Sequence, residues 1–316
     1  MSCHFTSLEH DALLHLSGPD ALAFLQGQLS CDTRKLNRDT ALPGLFCTAQ
    51  GRVICDFLLV ELAPGHLALR MRRDIRAASA ELFSRYIIFS KAELDAERDD
   101  WQVLACWGPA ALEQLGEVFG VAPSSRYGAC QGEGFAIVQM DEAGQQFECL
   151  LAPAAKEKLL THLDKDATPA PEIAWQGLQL ASGVARIEAA TTGEFIPQML
   201  NYDLTGHISF NKGCYTGQEV VARMHYRGKS KRRLYLASLD SAALAEQAEP
   251  PAPGDALYSP TGKQATGKVV NCVAQGDGTI ALLASATADG VEAGLHLSQA
   301  QGPALQIGSL PYSLPD

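Results

Sequence analysis

The feature that most limits how this chain can fold is a break in charge and pattern at Arg233. Residues 212–233 hold seven of the 25 cations against one acid, Glu219. The stretch is therefore +6, and the rest of the chain is −17 to reach the net −11. Beyond the break, residues 234–316 hold eight acidic and two basic residues, with frequent Gly and Pro. Short alternating apolar runs recur there at Leu234–Leu239, Ala256–Tyr258, Gly267–Val273, Thr279–Leu283 and Gln306–Ile307. Evenly spaced short strands between turn residues predict a small all-β domain, a barrel. Before the break, helical and strand segments mix, and with the all-β domain after it the expected class is α+β. At ~100–200 residues per domain, 316 residues make two or three domains.

A strand over Ala12–Leu16 stops at Ser17-Gly18-Pro19, where proline suits the first turn of a helix. Ala21, Leu22, Phe24, Leu25 and Leu29 then mark one helical face to about Ser30. Leu42–Thr48 and Arg52–Leu62 read as a hairpin, and His66–Met71 as a further strand. Asp74 reads as the cap of a helix to Tyr86, Ile87–Phe89 as extended chain, and the highly charged Glu93–Asp100 as a solvated connection. Gly108–Leu115 echoes Gly18–Leu25, which marks either two lobes of similar build or a common local solution. Strands near Gly134–Gln139 and Gln146–Leu151 and a helix over Ala154–Leu163 lead to a Pro-containing linker, Asp164–Pro171. A helix over Glu172–Ser182 stops at Gly183. The expected divisions are 1–98 and 99–168 as two α/β lobes, 169–233 as a segment completing them, and 234–316 as the β domain.

Composition excludes several classes. With 47% apolar and 19% charged residues the chain is globular, not disordered. No apolar run approaches the ~20 residues of a membrane span, and the first residues form no targeting peptide. Nine scattered cysteines with no Cys-x-x-Cys pair read as reduced thiols of a cytoplasmic protein, without a structural zinc site or a four-cysteine cluster. An acidic chain is a poor general binder of nucleic acid, so direct tRNA binding is not expected. Any such binding must come from a local patch.

That patch is residues 212–233, and it suits a polyanion, a phosphate or an anionic cofactor tail; a solvated basic strand is the plainer reading. Inside it, Lys212-Gly213-Cys214-Tyr215-Thr216-Gly217-Gln218-Glu219 places a cysteine between two glycines on a turn. Lys212 and Arg223 nearby favour the thiolate, the nucleophilic and metal-binding form. Cys214 is the candidate functional thiol, whereas the other eight read as small buried apolar residues. Gly228-Lys229-Ser230 lacks the upstream glycine of a phosphate loop, and Gly132-Glu133-Gly134 lacks the third glycine of a dinucleotide site. His207 and His225 flank the loop as possible bases, although a lone histidine is more often structural.

The runs Glu194–Asn201 and Gly206–Arg223 closely resemble the signature of the YgfZ family, folate-binding proteins related to the glycine-cleavage T-protein. Leu16–Leu29, Arg85–Lys91 and Leu310–Leu314 extend the resemblance over essentially the whole chain. It implies two α/β lobes and a C-terminal β-barrel around a central opening. It also implies tetrahydrofolate as ligand and a role in making or maintaining iron–sulfur clusters in client enzymes, including those that methylthiolate tRNA. Cys214 is then the functional thiol with Lys212 beside it. Trp175, Gln198, Tyr215, Gln218 and Arg223 become the folate contacts, and 169–233 the folate and cysteine-motif segment. Trp175 suits stacking on a pterin, or else anchors a core, and Arg223 suits a glutamate tail. A second family tryptophan falls near Asp11, where this chain has no aromatic residue. The alternative function is folate-dependent aminomethyl transfer, for which Asp74 is the nearest carboxylate by place in the chain. A third, an RNA-binding module, would use residues 223–233.

Overall fold

The computed structural model describes residues 2–244 and 249–315. It divides into two compact units: Met1–Phe46, Cys55–Glu172 and His207–Thr216 form one, and Cys47–Ile54, Ile173–Gly206 and Gly217–Asp316 the other.

The first unit holds two sheets. One runs in the order Leu42–Cys47, Val53–Ala63, His66–Arg72, Asp11–Ser17, Glu93–Asp95. Helices α1 (Ala21–Gln28) and α2 (Arg73–Ile87) accompany it. α2 buries Ile75, Ser79 and Phe83, one residue per turn, and the Phe83 ring stacks on Phe46 at 4.2 Å. The other sheet runs in the order Thr168–Pro169, His4–Ser7, Gln102–Trp107, Gln146–Leu151, Phe135–Gln139, Ala129–Gly132. Helices α3 (Ala111–Phe119) and α4 (Pro153–Asp166) bury Leu115, Val118, Leu159 and Leu163 against its Leu104, Ile137, Phe147 and Leu151.

The Gly-Pro echo is a repeated turn. Gly18 and Gly108 have φ of 107° and 110°, which disfavours any other residue. A Cβ on Gly18 would lie 2.5 Å from the Lys91 carbonyl, and one on Gly108 2.6 Å from that of Ser2. Two residues on, the amides of Asp20 and Ala110 donate to those same carbonyls. Each copy thus clamps a distant segment against the start of its helix.

Four local expectations shift. Asp74 lies inside the first turn of α2 rather than at its cap, where a carboxylate favours the positive end of the helix dipole. Leu22 is exposed, so the buried face of α1 is Ala21, Phe24 and Leu25. Ile87 closes α2, and Ile88 and Phe89 stand in an exposed turn rather than a strand. The charged segment instead gives a short strand, Glu93–Asp95, paired with Asp11–Ser17.

The second unit contains α5 (Glu172–Ala181, whose first residue belongs to the other unit), α6 (Gln218–Tyr226) and α7 (Ala288–Ala293). Its sheet is antiparallel, in the order His296–Leu297, Ala256–Tyr258, Gly267–Ala274, Thr279–Thr287, Arg232–Asp240, Gln306–Ile307. Among the described residues the two ends of this order do not pair, so the expected barrel is a curled half-barrel. Leu239, Leu257, Val269, Leu282 and Leu297 form its core.

One buried histidine should make the first unit acid-sensitive. His15, 3% exposed, meets His66 with Nδ1 and Nε2 3.0 Å apart. Burial, then His66 and Arg98, push His15 down to about 4 from 6.5. Between these values the unfolded chain holds more protons, so stability rises with pH there and is lost as pH falls. Urea unfolding at pH 7 and pH 4 should show the wild type losing about 3 kcal/mol more than His15→Leu. Equal losses would mean that His15 is charged in the fold.

Candidate functional site

The cysteine loop is tied down at both ends within the first unit. At its base, the buried Ser30 donates its hydroxyl to the His207 carbonyl at 2.6 Å, and the Ser209 amide donates to the Ser30 carbonyl at 2.9 Å. Further on, Lys212 Nζ donates to the carbonyls of Gln26 (2.7 Å), Leu29 and Cys31 (2.9 Å). These lie at and just past the end of α1, whose own last turn has no basic residue. A helix end presents unpaired carbonyls and negative potential, and Lys212 answers both from far along the chain. The Tyr215 ring lies 5.1 Å from the ammonium, and Thr216 Oγ1 donates to Gln28 Oε1 at 3.0 Å.

Cys214 stands between these anchors, two residues from each, and is exposed. It is the exposed cysteine among the described residues. Cys130 and Cys272 are half-buried, and burial pushes both thiols up to about 11. Cys3, Cys31 and Cys55 are buried and pushed up to about 12. Burial lowers Lys212 to about 8, so it is still a cation at neutral pH. With three carbonyls holding its ammonium, Lys212 positions the loop.

The second half of the motif belongs to the second unit. Gly217 precedes α6 with φ 85°, and a Cβ there would sit 2.4 Å from the Thr48 carbonyl. The glycine requirement therefore lies at Gly217; around Gly213 there is open space. Gln198, in the 3-10 turn Pro197–Leu200, is 1% exposed and donates Nε2 to the Val221 carbonyl of α6 at 2.9 Å. That acceptor fixes the amide's orientation and turns Oε1 elsewhere. Oε1 is buried and has no partner among the described residues. Gln218 opens α6 half-buried, and Arg223 is exposed two residues after Val221. Trp175 is 1% exposed in α5, with no ring face open to solvent.

The remaining candidates are placed as follows. Asp11 is buried, 3.9 Å from Arg72 across the antiparallel pair. Asp74 is exposed. His207 is buried, while His225 is exposed, edge-on to Tyr226 at 4.8 Å. Sequence reasoning missed Ser30, Gln28 and the α1 carbonyls. Backbone acceptors leave no mark in a sequence; the one available signal was a helix ending without a basic residue.

The chain matches the model of the GCVT N-terminal domain over residues 5–140. It is 31% identical over 311 residues to the tRNA-modifying protein YgfZ of Sodalis glossinidius, covering 98% of this chain and 92% of that one. It is 33% identical over 229 residues to the protein of the same name from Pectobacterium carotovorum, covering 72% and 68%. Among solved structures, the glycine cleavage system aminomethyltransferase T of Bartonella henselae shares its mixed α/β fold, with a TM-score of 0.74 at 18% identity over 98% of this chain and 86% of that one.

Two outcomes follow from the loop geometry. Iodoacetamide at neutral pH, read by peptide mass spectrometry, should modify Cys214 ahead of the other eight thiols; slower labelling there would mean that the loop shields it. Lys212→Met should lower stability by about 2 kcal/mol in urea unfolding, since it strips a charged donor from three acceptors. Lys212→Arg should not restore it, because a planar fork is no substitute for a compact ammonium. An unchanged midpoint for Lys212→Met would show that the loop is held without it.

Proposed function

The chain belongs to the YgfZ family, and from that membership and the loop geometry we propose that it binds tetrahydrofolate and serves iron–sulfur client enzymes, those that methylthiolate tRNA among them, in making or maintaining their clusters. The observation that carries this reading is one exposed thiol on an anchored loop, in a chain whose other thiols are buried or half-buried. Such a thiol meets a second protein's cluster or disulfide without unfolding either partner.

The residues of the second unit fit the folate. Among the described residues Gln198 Oε1 is a buried acceptor without a partner, which costs about 1–3 kcal/mol. A pterin edge carries amino and ring N–H donors that would recover that cost. Arg223, close along the chain to the Val221 carbonyl that Gln198 holds, offers an exposed cation for the glutamate carboxylates. Gln218, at the start of α6, completes the contacts proposed in this unit, whereas the Tyr215 ring is engaged with the Lys212 ammonium in the first unit. Contact with Trp175 requires α5 to uncover the ring. No comparable support exists for aminomethyl transfer, whose nearest carboxylate by place in the chain, Asp74, lies exposed on α2.

Titration of the wild type with tetrahydrofolate, followed by tryptophan fluorescence and calorimetry, should give a roughly micromolar Kd, about 8 kcal/mol. Gln198→Met should weaken binding about tenfold, and Cys214→Ala should leave it unchanged. Unchanged affinity in Gln198→Met would remove Gln198 from the site. A calorimetric signal without a fluorescence change would remove Trp175. No binding by the wild type would overturn the folate reading.

A further inference from the structure

The end of α6 and the segment after it carry a feature that neither the thiol nor the folate reading uses. Arg227, Lys229 and Lys231 are exposed, and Arg232 is half-buried. Among the described residues none of these four is in an ion pair, although Arg233 next to them is bound to Asp203 at 2.8 Å and Lys268 to Glu194 at 2.6 Å. No acid occurs between Glu219 and Asp240. Ser230 donates its hydroxyl to the Arg232 carbonyl at 2.6 Å, which bends the segment. Within it stands Tyr226, 67% exposed, with the exposed His225 ring edge-on at 4.8 Å.

A structural explanation covers part of this. Arg227 caps α6, where a cation suits the negative end of the helix. That interaction fades within one turn, so it leaves Lys229, Lys231 and Arg232 unexplained, and it has no use for an exposed tyrosine. Cations outside any ion pair, flanking an exposed aromatic ring, are what an unstacked nucleic-acid strand needs: phosphates are neutralised by the cations, and a base stacks on the ring. An acidic peptide needs the charge without the ring. A folded duplex hides its bases and so also ignores it.

We propose that Tyr226, Arg227, Lys229, Lys231 and Arg232 form a docking surface for a single-stranded or looped segment of RNA. The chain's net charge of −11 weakens attraction to nucleic acid in general, so the surface acts locally and at modest affinity.

The test is fluorescence anisotropy with a labelled short single-stranded RNA and the full-length protein, with an RNA duplex and oligoglutamate as competitors. Wild type should bind, and raising salt should weaken binding. Arg227→Ala/Lys229→Ala/Lys231→Ala should weaken binding at least tenfold and reduce the magnitude of the log–log salt slope by about 2. Tyr226→Ala should weaken it about tenfold with little change of slope, and Tyr226→Trp should restore it. Equal urea midpoints for all variants exclude misfolding, and these residues are exposed or half-buried. The proposal is overturned if wild type does not bind, if Tyr226→Ala binds as wild type, or if the duplex or oligoglutamate competes as well as the single strand.

Discussion

Three carbonyls at the end of α1 converge on one ammonium, and the loop bearing Cys214 takes its form from that contact. Holding a polar loop still costs about 1–2 kcal/mol of backbone entropy per residue, and an ordinary hydrogen bond offsets only about 1. A charged donor shared by three acceptors is a stronger tie, and here it also answers the dipole of a helix that ends without its own cation. Tyr215 under the ammonium and Thr216 on Gln28 fix the far side of the loop. The thiol is thus held in the open, where a solvated loop would leave it to wander and a core position would disable it.

One continuous motif does two jobs. Its first half, Lys212 to Thr216, serves the first unit, and its second half, from Gly217, serves the second. Gly217 lets the start of α6 approach the Thr48 carbonyl at a distance no side chain permits. Gln198 then ties α6 through Val221 and, among the described residues, is left with an unused buried acceptor. A buried polar atom without a partner is costly enough that it is a better pointer to a ligand than an exposed cation is.

Much of this was legible in the sequence. The charge break at Arg233 coincides with the start of the strand Arg232–Asp240, and the alternating runs beyond it became strands of the last sheet. The Gly-Pro echo proved to be the same clamp made twice, because only a positive-φ glycine admits the carbonyls of Lys91 and Ser2. What was not legible depended on distant partners. Ile87–Phe89 has the composition of a strand but no neighbouring strand to pair with among the described residues, so it remains a helix end and an exposed turn. Glu93–Asp95 looks like solvated loop but pairs with the edge at His15. Lys212 looked like a neighbour for the thiol because it lies two residues away, yet its ammonium belongs to a helix nearly the whole length of the first unit earlier in the chain.

If the fold serves to present the Cys214 thiol, this will show in the methylthiolated tRNA of a strain lacking this protein, complemented with wild type or with Cys214→Ala. The alanine protein should accumulate, unfold at the wild-type urea midpoint and bind tetrahydrofolate as wild type does, because an exposed loop sulfur contributes little to packing. It should nevertheless leave tRNA methylthiolation at the level of the uncomplemented strain. Full restoration by Cys214→Ala would contradict the account and reduce the thiol to a surface residue.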